Sequence, residues 1–392
     1  MNPTSPGLIR VTALAGGVGA ARMLSGLAAV TGPEAITAVV NTGDDMVLHG
    51  LYISPDLDTV TYTLAGAANP GTGWGLAGES WTVMESLAAF EGHRGRPTSS
   101  LTWFNLGDRD LATHLFRTGA MLAGAPLSEV TADITRRYGV GARLLPMTDD
   151  RVETRVVIDT QPAPPLRSGR DRTDGHARSA GPAGPAGPSG PAGNFGMDGV
   201  ARAEPRFGGL PAAPEPPPLS PGTTEIGFQE YFVGLRHDVA IKSVRFVGAA
   251  TASPAPGVLA SIAAADVVVI CPSNPIVSVG PVLAVPGIAE AVTARRASTV
   301  AVSPIIAGKA LKGPADRMLV ELGYEPSAVG VAKMWAPLAC TLVVDEADAD
   351  LAPRVEAEGL RCLVAPSVMS GPAEARALAE VVLGATGHGH QS

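Results

Sequence analysis

Four carboxylates, Asp44, Asp45, Asp56 and Asp58, fall within fifteen residues in the stretches Asn41-Thr42-Gly43-Asp44-Asp45 and Ser54-Pro55-Asp56-Leu57-Asp58-Thr59. The first stretch follows Ile36-Thr37-Ala38-Val39-Val40, an apolar run that reads as a buried strand. Open α/β sheets bind ligands outside the carboxyl ends of their strands. Carboxylates collected there repel one another unless a metal ion or a cationic partner neutralises them. Asp, Asn, Gly and Pro also serve ordinary turns. Two acidic clusters beside a glycine loop favour a site.

That loop is Ala15-Gly16-Gly17-Val18-Gly19-Ala20-Ala21-Arg22, between a first strand and a helix. Glycines there let backbone amides approach a phosphate, with the positive helix end behind them. The dinucleotide fingerprint is absent, because Arg22 stands at the third glycine position. Gly308-Lys309 is followed by Ala310 and is no P-loop. Pro272-Ser273-Asn274-Pro275 and Ser303-Pro304-Ile305-Ile306 follow two further apolar runs and offer hydroxyls and amides to a nucleotide. In Leu106-Gly107-Asp108-Arg109-Asp110-Leu111, either aspartate could cap the helix that follows. Arg109 reads equally as a salt-bridged residue or a phosphate clamp, and His114 as a packed or surface histidine. Trp74 and Trp81 lie near glycines and could stack on a flat ring or fill a core.

The elements that must position these residues alternate strand and helix. Strand-like runs are Leu8–Leu14, Ile36–Val40, Asp266–Cys271, Ser298–Val302, Thr341–Asp345 and Arg361–Ala365. Several are apolar throughout, as strands covered on both faces must be. Helical patterns span Gly19–Val30, Pro286–Arg296, Pro314–Leu322 and Pro372–Val382. The reading is α/β: one domain over 1–392, a doubly wound, mostly parallel Rossmann-like sheet. Residues 64–143 look largely helical and are expected to cap the strand ends. Residues 161–222 are rich in glycine and proline and are expected to be a disordered insertion. Their flanks, Thr154–Ile158 and Gly227–Val233, read as two strands of a hairpin carrying the insertion at its tip. A disordered tail is expected over 386–392.

Composition narrows the function classes. A net charge of −8 argues against a general nucleic-acid binder. No apolar run reaches the length of a membrane span, the N-terminus lacks a secretory layout, and the three cysteines are too scattered for a disulfide framework or zinc site. The chain reads as cytoplasmic.

The motifs Gly-Gly-x-Gly, Val-Val-Asn-Thr-Gly-Asp-Asp, Ser-Pro-Asp-Leu-Asp-Thr, Leu-Gly-Asp-Arg-Asp-x-Ala-Thr-His, Pro-Ser-Asn-Pro and Val-Ser-Pro-Ile-Ile occur in one order. In this the chain resembles the 2-phospho-L-lactate transferase family of coenzyme F-420 biosynthesis, from Val11 to about Val382. The resemblance implies transfer of a phospholactyl or phosphoenolpyruvyl group from a guanosine-diphosphate-linked donor. The acceptor would be the ribityl hydroxyl of 7,8-didemethyl-8-hydroxy-5-deazariboflavin, with release of GMP and a need for Mg2+. It implies that Gly16, Gly17, Gly19, Ser273 and Asn274 hold the guanosine diphosphate portion. Asp45 and Asp58 would hold magnesium or orient the hydroxyl, and either could be the general base. Asp58 and Asn105 match acceptor-contacting positions, with Trp81 or Trp74 on the ring, although some relatives carry lysine or glycine at position 105. A homodimer is implied as well. The main rival is a non-catalytic sugar-nucleotide-binding regulator of a related family, which shares the glycine loop and the Asp-Asp strand end. A nucleotide-dependent oxidoreductase is the third reading.

Overall fold

A computed structural model of the chain describes residues 9–93, 101–159, 222–235 and 239–386. In chain order its first strands are β1 (Val11–Ala15), β2 (Ile36–Val40), β3 (Met46–Leu48), β4 (Leu51–Ile53), β5 (Arg143–Pro146), β6 (Glu153–Asp159) and β7 (Thr223–Gly227). Then come β8 (Ile241–Val247), β9 (Val267–Ile270), β10 (Thr299–Val302), β11 (Ile305–Ile306), β12 (Lys309–Ala310), β13 (Thr341–Val344) and β14 (Arg361–Val364). Seven of them form a parallel sheet in the order β14-β13-β10-β9-β1-β2-β5.

This order places the site. From β1 the chain steps to β2 and β5 on one side, then crosses to β9 and walks outward the other way. The direction reverses between β1 and β9, where a parallel sheet opens a crevice at its carboxyl edge. Those two strands are followed by Gly16 with the helix that begins at Gly17, and by the turn Pro272–Asn274. Because strand side chains alternate in direction, Leu14, Val39 and Ile270 pack into one core while Ala13, Ala15, Val40 and Val269 pack into the other. Each face is covered, which explains the uninterrupted apolar strands.

Five helices matter most: α1 (Gly17–Thr31), α2 (Pro55–Leu64), α3 (Thr82–His93), α4 (Asp108–Leu122) and α5 (Leu127–Arg137). Helix α1 buries Ala20, Ala21, Leu24 and Leu27 and packs against α2 and the C-terminal helix Pro372–Gly384. The 64–143 segment divides. Helix α5 packs on β5, so it belongs to the layer against the sheet, whereas α4 packs on the small β3–β4 hairpin beside the strand ends.

The expected hairpin forms, with β6 central in an antiparallel β7-β6-β8 sheet and Asp159 paired with Thr223 at its tip. Its second limb is not the expected one: β7 is Thr223–Gly227 and shares only Gly227 with the expected strand Gly227–Val233. Phe228 to Gly234 leaves the strand for a helical turn that buries Tyr231 completely. The apolar run Tyr231-Phe232-Val233 mimicked a strand because it contributes to a core, and burial alone does not distinguish the two. The expected insertion lies almost wholly outside the described residues, as do 387–392 of the expected tail. Since Asp159 and Thr223 already pair, replacing 161–221 by a short turn is expected to keep turnover within about twofold of wild type, loop closure being weakly length-dependent. A folded deletion variant that had lost turnover would contradict this.

Candidate active site

The crevice between the β1 and β9 loops widens into a cavity of about 670 Å³. Gly16, Gly17 and Gly19 line one wall with Ser273 and Asn274. Each is held by close contact. Ser273 Oγ donates to the Gly16 carbonyl at 2.8 Å, tying the two loops across the crevice. Asn274 accepts from the backbone N–H of Ile276 and Val277, capping the turn that follows. A Cβ on Gly19 would stand 2.3 Å from the Pro272 carbonyl oxygen, and Gly17 adopts a φ of +70°. The result is a helix N-terminus on the crevice wall, a geometry that favours anions, and Asp56 already takes its first N–H, that of Gly17.

The acidic turn faces this wall from the end of β2. Asn41, fully buried, organises it: its amide donates to Asp56 Oδ2 at 2.9 Å and its oxygen accepts from Gly43 N–H at 2.8 Å. Thr154 N–H, from β6, donates to the Gly43 carbonyl, so the three-stranded sheet supports the turn from behind. Ser54 Oγ donates to Asp45 Oδ2 at 2.7 Å. Asp44 Oδ1 and Asp45 Oδ1 are buried without a hydrogen-bond partner.

Burial pushes the Asp44 carboxyl well above the usual carboxylate range, and the charges of Asp56 and Asp45 push it further. Burial also raises Asp45, against the Ser54 hydrogen bond and the Arg117 charge. Asp56 is raised by burial to about 6, even with hydrogen bonds from the Asn41 amide and Gly17 N–H. Desolvated, mutually repelling carboxylates with two orphaned oxygens are groups that a divalent cation would neutralise. The sign for stability follows. A carboxyl whose folded pKa is raised contributes stability below its unfolded pKa of about 4 and loses it as pH climbs through the folded value. The metal-free protein is therefore expected to lose stability between about pH 4 and about 6 relative to Asp56→Asn. Chemical denaturation of both proteins across that range checks it, and parallel curves would refute it.

Asp58 lies in different surroundings. Both its oxygens accept from the Arg117 guanidinium, through Nη1 at 3.1 Å and through Nη2. His114, 1% exposed, lies between Asp58 and Asp110, its Nε2 3.3 Å from Asp110 Oδ2. Asp110 accepts from the Tyr62 hydroxyl. Burial opposes ionisation of Asp110, but His114 and Tyr62 hold its pKa below the ordinary value. Asp58, Asp110 and His114 could gather around a metal within 4.8 Å of one another. The guanidinium already serves as the cation on Asp58, so the acidic turn fits an ion better.

Part of the lining is aromatic. Trp74, Trp103, Phe104, Phe228 and Phe232 line the cavity, with Phe228 and Phe232 stacked at 5.7 Å. Asn105 is exposed and borders the same space.

Most of the expected residues meet here: Gly16, Gly17, Gly19, Ser273, Asn274, Asp58 and Asn105 all line the cavity. Two do not. Asp45 turns back to Ser54, and its neighbour Asp44 occupies the wall in its place. Trp81 stands just before α3, away from the cavity, and Trp74 and Trp103 take the aromatic wall. Asp108 caps α3 rather than its own helix, through Ser80 Oγ and the N–H groups of Thr82 and Val83. Glu79 in turn accepts from the first N–H groups of α4, at Arg109 and Asp110. Arg109 donates to the Ala77 carbonyl and does not line the cavity. The sequence marked Asn41, Asp44 and Asp56 as part of the acidic clusters without giving them separate roles, and it did not mark Trp103 or Arg117. Spacing marked the acids as a cluster, but nothing local marked which of them face inward.

A family model described as 2-phospho-L-lactate transferase CofD matches residues 11–361. The chain belongs to this family. The motif-based expectation of a transferase family of coenzyme F-420 biosynthesis is thereby met. Similar proteins include a phosphoenolpyruvate transferase of Kitasatospora aureofaciens, 40% identical over 364 residues, covering 92% of this chain and 93% of that one. A phosphoenolpyruvate transferase of Streptomyces griseus is 39% identical, covering 96% and 98%. That of Mycolicibacterium smegmatis is 36% identical, covering 97% and 99%. A crystal structure of a UPF0052 family member from Bacillus halodurans superposes with a TM-score of 0.51 at 15% identity, covering 97% of this chain and all of that one. At that identity the likeness is one of fold. Among the described residues no single helix is long and apolar enough to cross a membrane.

Proposed function

We propose that this transferase moves a phosphoenolpyruvyl group from an enolpyruvyl-diphospho-guanosine donor to the ribityl hydroxyl of 7,8-didemethyl-8-hydroxy-5-deazariboflavin, releasing GMP. The phospholactyl donor is the alternative within the same reaction. Enolpyruvyl is favoured because relatives at 36–40% identity bear the name phosphoenolpyruvate transferase. The observation that carries the reading is a glycine-rich helix start that shares one cavity with the buried carboxylates Asp44 and Asp56, Asp44 Oδ1 being without a hydrogen-bond partner. A diphosphate needs the first, and a bridging cation needs the second.

In this mechanism the N–H groups at the start of α1 bind the diphosphate, and Ser273 keeps their loop against β9. Asp44 and Asp56, with Asp45 behind them, would hold Mg2+. Bound magnesium supplies positive charge against the oxygens of the diphosphate. The aromatic wall stacks the acceptor ring and excludes water, with Asn105 at its border. Asp58 aligns the ribityl hydroxyl and takes its proton. The hydroxyl oxygen bonds to the phosphorus carrying the acid, the bridging oxygen bond to GMP breaks, and the electron pair leaves with GMP. Little covalent work falls to the protein, since such transfers depend on positioning and charge.

The test is incubation of the protein with the deazaflavin, Mg2+ and each donor in turn. GMP and a phosphodiester-linked acceptor are expected, faster with the enolpyruvyl donor. Nucleotide binding without GMP would favour the regulator, and hydride transfer the oxidoreductase.

A further inference from the structure

Arg117 is the largest side chain fully buried among the described residues, and it lies behind the cavity wall without reaching the cavity. A lone buried guanidinium is costly, and a buried ion pair by itself adds little to stability. What this one touches is informative. Nη1 and Nη2 grip the two oxygens of Asp58, and Nη1 also lies 3.2 Å from His114 Nδ1. A guanidinium can only donate. His114 Nδ1 must therefore accept, and the ring proton resides on Nε2, which lies 3.3 Å from Asp110 Oδ2 in an ion-pair contact without an aligned hydrogen bond. Tyr62 donates to the other oxygen of Asp110. One guanidinium thus fixes one carboxylate directly and sets the tautomer of an imidazole whose Nε2 lies against a second. Asp58, Asp110, His114 and Tyr62 all line the cavity.

We propose that Arg117 is a positioning residue that orients Asp58 directly and Asp110 through His114, so that both carboxylates face the hydroxyls of a bound polyol. The inference rests on the acceptor assigned above, whose ribityl chain is such a polyol. Two oriented carboxylates hold neighbouring hydroxyls in register, and the one to be phosphorylated is selected by where the others are held. Misplacement by about 1 Å can cost a hundredfold in rate.

The test compares wild type with Arg117→Lys and His114→Asn. Lysine keeps the charge but loses the planar two-point hold. Arg117→Lys is expected to fold, keep its donor KM within about twofold, and lose about a hundredfold in kcat. Asparagine at 114 keeps an acceptor for Arg117 but cannot reach Asp110, so the acceptor KM is expected to rise about tenfold while the donor KM holds. A folded Arg117→Lys with wild-type kcat overturns the proposal. Should Arg117→Lys fail to fold, His114→Asn decides: a raised acceptor KM alone supports the proposal, and unchanged constants overturn it. A wild-type protein that releases no GMP removes the assigned reaction, whereas an active wild type with unaffected variants removes only the role of Arg117.

Discussion

Asp44→Asn is expected to make the metal-free protein more stable and nearly inactive. Asp44 is buried, repelled by Asp56 and Asp45, and holds an oxygen with no partner. Removing its charge relieves desolvation and repulsion together, a gain on the order of 1–3 kcal/mol in chemical denaturation near pH 7. The same charge is what a cation needs. Turnover should fall at least about a hundredfold, the scale for losing one preorganised electrostatic contact. Magnesium should also cease to stabilise the variant, whereas wild type gains about 2.7 kcal/mol at a hundredfold excess over Kd. Opposite signs for stability and turnover separate a metal-holding residue from a structural one. A destabilised, fully active variant would refute this reading.

Gly19→Ala is expected to damage both fold and donor binding. The new methyl would stand 2.3 Å from the Pro272 carbonyl oxygen, a backbone atom that moves only with the loop after β9. Separating these loops widens the crevice at the point where Ser273 ties it shut. Overpacking of this kind costs about 1–3 kcal/mol, with more where backbone must yield. The donor KM should rise about a hundredfold or more, because the amides no longer converge on one anion. Gly119 is the matched control: a Cβ there meets nothing within 4 Å. Gly119→Ala is expected to gain about 0.5–1 kcal/mol as an exposed helix position and leave kinetics unchanged. Equal behaviour of the two variants in urea melts and donor kinetics would undo the argument.

Much of the sheet was legible because its strands are buried on both faces and bounded by turn residues. Ile36–Val40 is recovered residue for residue, and the other runs differ only at their ends. The loops after β1, β2 and β9 were legible as well, because a glycine loop and two acidic clusters occur together beside apolar strands, which ordinary turns do not require. What the sequence hid was direction and distance. Asp44 and Asp45 are chemically identical neighbours, and only the hydrogen bond from Ser54 decides which turns away from the crevice. Arg117 lies 59 positions from Asp58, on another helix, so no local spacing announces their pairing. His114 looked like a packed histidine and is one, yet packed between two cavity carboxylates. Trp74 and Trp81 stood out by lying near glycines, and Trp103, without a glycine beside it, did not. The fold at α3 and α4 puts Trp81 at a helix start and Trp103 on the wall.

The central claim is that the carboxylates after β2 hold a divalent cation against the diphosphate gripped by α1. Following GMP release during a magnesium titration of the chelator-treated protein tests it most directly. The account predicts no turnover before magnesium is added, saturable restoration in wild type, and none in Asp44→Asn at concentrations that saturate wild type. Full turnover in excess chelator, or an Asp44→Asn curve that overlays wild type, would contradict it.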